Sequence, residues 1–168
     1  MTRHAIIEYI KYSLRAKRLH GVHSPFVYSF SEEVLYAPAT KSTDTRLPKL
    51  DLPVKYVDLI LKISEHYHCN NSLLLASATS DQHQQFDLTI FTESNPGTWL
   101  QLFNKHFKSI TTESVIIVPA IHSTKRHTAK WRRLYTHPKI LLSIDVYGIG
   151  LIFFRKEFKE QQHFILKY

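Results

Sequence analysis

Residues 114 to 131 read SVIIVPAIHSTKRHTAKW. The apolar run Val115 to Val118 predicts a buried strand, and a basic segment ending at Trp131 follows it. Ser123 or Thr124 can cap a helix from about Thr124 to Tyr135, on which Thr128, Trp131 and Leu134 share one face. A strand that hands on to a helix is half of the unit from which parallel sheets are built. In open α/β sheets, ligands bind at the carboxyl ends of the strands. This strand ends in Pro119 and Ala120, whose side chains carry no polar group.

On either side the pattern continues. SLLLAS (72–77) and FDLTIF (86–91) predict two earlier strands, and Trp99, Leu100, Phe103 and Phe107 mark a helix between Pro96 and Ile110. Residues 140–157 predict two strands around Gly148 and Gly150, and HFILKY adds a last short one. The expected sheet is mostly parallel with an antiparallel hairpin at its edge. Ahead of it, Ile6, Ile7, Ile10 and Leu14 recur at helical spacing over residues 3 to 18, with Gly21 just beyond. Ser24 and Pro25 open a second helix whose stripe is Phe26, Val27, Phe30 and Val34. Residues 37–53 hold three prolines and no period, a loop; Val54 to about His68 is a third helix with Val57, Ile60, Leu61 and Ser64 on one face.

Composition bounds the function. A chain of 168 residues fits one domain and buries roughly 70% of its unfolded surface without a staple. A single cysteine, Cys69, excludes an internal disulfide and suits the reducing cytoplasm. The N-terminus carries charges throughout, unlike a signal peptide. No apolar run approaches the roughly 18 residues of a membrane span, and no membrane partner is expected. The net charge is +8, clustered at Lys11, Arg15, Lys17 and Arg18 and again at Lys125, Arg126, Lys130, Arg132 and Arg133. Solvated faces explain such clusters; a basic nucleic-acid-binding module is the sharper alternative, although no nucleic-acid motif accompanies them.

YIKYSLRAKRLHGVHSPFVYSF near the start and FDLTIFT, SVIIVPAIHS and LSIDVYGIGLIFFRKEFKEQQHF in the second half resemble a bacterial family of class I S-adenosylmethionine-dependent methyltransferases. The resemblance implies a Rossmann-like sheet in which FDLTIF is the fourth strand, SVIIVP the fifth, and residues 140–157 the terminal hairpin. It divides the chain into an N-terminal helical segment (1–36), a loop (37–53) and a reduced α/β core (54–168) within one domain. Relatives carry an Asp/Glu-Leu-Gly-x-x-x-Gly loop after the first strand and an acid after the second. The glycines let the backbone approach the cofactor, and the acid binds the ribose hydroxyls. This chain has only Gly21, Gly97, Gly148 and Gly150, none of which follows a first strand. The segment between the third helix and Phe86 is too short for two more strand–helix units.

The acids at the strand ends are replaced as well. Relatives place an acid where this chain has Thr92, and two where it has Pro119 and Ala120. In related metal-dependent O-methyltransferases such acids hold Mg²⁺, a hard cation that needs oxygen ligands, so no metal is expected here. The remaining candidates are His122 for catalysis, Ser77, Thr79 and Thr92 for cofactor binding, and His20, His23 and Ser24 as a lid over an acceptor pocket. His122 has no carboxylate beside it in sequence, so a backbone partner at the helix start is the expected role. His20 and His23 flank Gly21, and a helix-to-helix turn is their first reading. Eleven histidines raise the question of zinc, but His66, His68, Cys69 and His83 do not have the spacing of a zinc site.

The expectation is therefore a shortened, degenerate methyltransferase-like protein that is not catalytic and acts through binding, to itself or to an intact paralogue. The alternative is an active S-adenosylmethionine-dependent O-methyltransferase whose cofactor site is atypical or completed by a partner.

Overall fold

A computed structural model describes residues 2–18, 21–40, 52–75, 85–92 and 94–168. Among these residues six strands form one mixed sheet in the order β1–β2–β3–β5–β4–β6. Strands β1 (Ser72–Leu75), β2 (Phe86–Phe91) and β3 (Ile110–Pro119) pair in parallel. Strand β5 (Ile149–Phe153) runs antiparallel to both β3 and β4 (Leu142–Asp145), and β6 (Gln162–Ile165) pairs in parallel with β4. The α/β class and the hairpin follow expectation; the hairpin's position at the edge does not. Every residue of β5 is buried, so the strand needs cover on both faces and sits inside the sheet, while half-buried β6 takes the edge.

Side-chain alternation along β3 divides the core. Val115 and Ile117 face one apolar cluster with Leu88, Ile90, Leu142, Ile144 and Leu151, covered by helices α2 (Pro25–Phe30) and α3 (Val54–His66). Ile116 and Val118 face the other, with Phe91 and Ile152, covered by α4 (Trp99–His106) and α5 (Lys125–Tyr135). Thr124 caps α5 by accepting the His127 amide hydrogen, and Trp131 and Leu134 are buried. Ser24 caps α2 with Pro25 at its first position. The chain then widens into one π turn, Ser31–Leu35, where the Ser31 hydroxyl donates to the Val27 carbonyl and Val34 and Leu35 both reach the core.

On α3 the buried face keeps Ile60 and Ser64 but is rotated from the four residues read as one face, and on α1 (Arg3–Arg15) the aliphatic stripe does not face the core. On α3 the buried residues are Tyr56, Leu59, Ile60, Lys62, Ile63 and Ser64, with Val57 and Leu61 half-buried. Tyr56 sets this rotation by packing beneath Gly148 and donating to the Val146 carbonyl. Lys62 is tolerated inside because it donates to the Ala37 carbonyl and pairs with Asp58. Helix α1 buries only Ala5 and Tyr12. Its aliphatic stripe faces outward, because polar anchors decide the docking. Tyr12 Oη donates to the Leu166 carbonyl and accepts from the Tyr168 amide, Tyr147 Oη donates to the Ala5 carbonyl, and Lys17 forms a parallel bridge with Leu166.

Two glycines are required for close approach. A Cβ on Gly150 would stand 2.5 Å from the Trp131 ring, and one on Gly148 would enter the Tyr56 ring.

Candidate functional site

The carboxyl ends of β3, β4 and β6 converge under α1. Just past β3, Ala120 adopts a left-handed conformation (φ 56°), and its amide donates to the Gly148 carbonyl at 2.7 Å. This conformation suits a residue with a small side chain. It closes a tight turn that carries His122 back over the sheet, where the Ser123 amide donates to the Ala120 carbonyl. At the tip of β4, Asp145 is almost fully buried. One carboxylate oxygen accepts the Tyr147 amide at 2.8 Å, and the other lies 2.7 Å from His122 Nε2. A carboxylate oxygen accepts, so in this contact the imidazole donates from Nε2. His122 Nδ1 meets the Thr128 hydroxyl at 3.2 Å, and the Tyr147 ring stacks on the imidazole.

His122 thus has the carboxylate that its sequence neighbours did not supply. The expectation of a backbone partner is corrected: all of its contacts are side chains. Nε2 is held by Asp145, and Nδ1 lies beside the Thr128 hydroxyl, which also donates to the Thr124 carbonyl and contacts His4 Nε2. The Asp145–His122 pair holds a turn in place.

Around the pair lies a cavity of about 60 Å³ lined by Glu8, Tyr12 and Arg15 of α1 and by Trp131, Tyr135 and His163. His163 Nδ1 bonds the Ser143 hydroxyl, and its ring stacks flat on Tyr135. Burial pushes His163 down to about 4, so it is neutral at pH 7. Burial pushes the Tyr12 hydroxyl above its usual value. Burial also pushes the Glu8 carboxyl up, but the Lys11 hydrogen bond and charge outweigh it and hold Glu8 below the usual range. The indole N–H of Trp131 is buried without a hydrogen-bond partner, the kind of group that an ordered water in the adjacent cavity serves.

The other predicted site residues do not join this cluster. Thr92 is exposed just beyond β2. His23 and Ser24 line a groove of about 800 Å³ with Phe26, Leu142, Phe158 and Phe164. That groove lies on the opposite face of β4 and β6 from Asp145 and His163, so these two residues do not lid the His122 cavity. Ser77, Thr79 and His20 lie outside the described residues, as does His83. Among the described residues no group of three or more His, Cys, Asp or Glu side chains converges as a metal would require. Lys125, Arg126, Arg132 and Arg133 are exposed on α5.

Asp145 and His163 escaped sequence reasoning. The available signal was an acid inside an apolar strand, LSIDV, since a buried carboxylate demands a partner. Compared with known proteins, the chain matches no family model, no curated protein and no solved structure.

Proposed function

We propose that the protein is a reduced, methyltransferase-like α/β domain that works by binding rather than by methyl transfer. The observation that carries this reading is the state of the strand tips. Where the resembling family places acids, this chain has exposed Thr92, and then Pro119 and Ala120, the latter locked into a turn by a backbone hydrogen bond to Gly148. The parallel β2–β3 pair and the β4–β5 hairpin support the resemblance in its carboxyl-terminal half.

Calorimetry with S-adenosylmethionine and S-adenosylhomocysteine tests the proposal. The expected outcome is no saturable heat with either. Micromolar binding of either one favours the alternative, an active O-methyltransferase with an atypical or partner-completed cofactor site.

A further inference from the structure

We propose that the outer face of α1 docks on an anionic lipid surface. Ile6, Ile7, Ile10 and Leu14 are 47%, 51%, 54% and 82% exposed. Their spacing places them on one side of the helix at about 100° per residue, opposite the buried Ala5 and Tyr12. Single exposed aliphatics are ordinary; a contiguous stripe of four on one helix marks an interaction surface.

The charges around the stripe select the partner. Arg3, Lys11, Arg15, Lys17 and Arg18 are all exposed. Glu8 is the one acid in residues 2–18, and it is turned inward, with its side chain 13% exposed and bonded to Lys11. The stripe is therefore bordered by cations alone. Two copies meeting stripe to stripe would bring these borders together against their repulsion. An anionic bilayer meets both demands: the aliphatic side chains enter the acyl boundary while the long basic side chains reach the headgroups. The helix is already formed and fastened along its inner side by Tyr12 and Ala5, so docking orders nothing new. Sequence reasoning expected no membrane partner because no segment can span a bilayer, and no helix among the described residues is long and apolar enough to cross one. A helix lying in the interface needs no span. The inference is independent of the methyltransferase-like reading.

Co-sedimentation of the full chain with vesicles tests it, using phosphatidylcholine alone and phosphatidylcholine mixed with phosphatidylglycerol. The expected result is binding to the mixed vesicles at least about tenfold tighter than to the neutral ones, weakening as salt rises. The variant Ile7→Ser/Ile10→Ser loses that binding with its melting temperature unchanged, since both positions are more than half exposed. Lys17→Gln/Arg18→Gln narrows the difference between the two vesicle types. Equal binding to both types, or undiminished binding by the serine variant, overturns the proposal. So does a dimer in light scattering that the serine variant dissolves while the wild type ignores vesicles, which assigns the stripe to a second copy.

Discussion

Asp145 joins two loops through one carboxylate, accepting the Tyr147 amide on one oxygen and bonding the His122 imidazole on the other. Removing it strands two part-buried donors. Asp145→Ala should cost about 3 kcal/mol in chemical denaturation. Asp145→Asn should cost less, because an amide still accepts from Tyr147 and can donate to the other imidazole tautomer. If the two variants are equally destabilised, the hydrogen bonds are not what the site contributes. The pair was illegible in sequence for a physical reason: 23 residues separate its members, and they meet because β3 and β4 flank the same strand. Pro119 and Ala120 were legible as an apolar strand tip, but the left-handed turn that Ala120 adopts was not.

At the scale of elements, the strands and the inner faces of α2, α4 and α5 read clearly, and those of α1 and α3 did not. FDLTIF forms β2 over the same residues, since a short β-rich run bounded by polar residues has few alternatives. The aliphatic spacing identified α1, yet the helix has a second face of Ala5, Tyr9 and Tyr12, and tyrosine hydroxyls with backbone acceptors decided which face docks. Hydrophobic spacing identifies a helix; it does not say which of two adhesive faces finds the core. Gly148 lies in the turn between β4 and β5, as the two strands read around it imply, and the structure also uses Gly148 and Gly150 as surfaces for Tyr56 and Trp131. Gly150→Ala should destabilise the protein by about 1–3 kcal/mol through overpacking. Combining it with Trp131→Phe should recover part of that loss, a coupling that a double-mutant cycle in denaturant would reveal.

For the whole molecule, the expectation of an α/β architecture holds, with helices on both faces of one mixed sheet. Its stability should depend on pH through His163. Burial places the folded value at about 4, below the unfolded value of roughly 6.5. The unfolded chain therefore takes up a proton first as pH falls, and the contribution present above 6.5 is lost on the way down to 4. From pH 7 to pH 5 this amounts to about 2 kcal/mol. Urea midpoints of the wild type and of His163→Gln at the two pH values check it; the variant should lose the smaller amount on acidification. The hydrogen bond from Tyr12 to the Leu166 carbonyl bears on how the molecule assembles. It spans 154 residues, and the Lys17 bridge beside it spans nearly as many. A free helix of thirteen residues is marginal in water. During synthesis α1 emerges early, while its partners Ser123, Thr128, Tyr147 and Leu166 follow only later, so its set of anchors is completed last. Closing that long loop raises contact order and slows the last step of folding. Until then both faces of α1 are open, and a surface able to hold the outer one would shelter the helix while the rest of the chain is made.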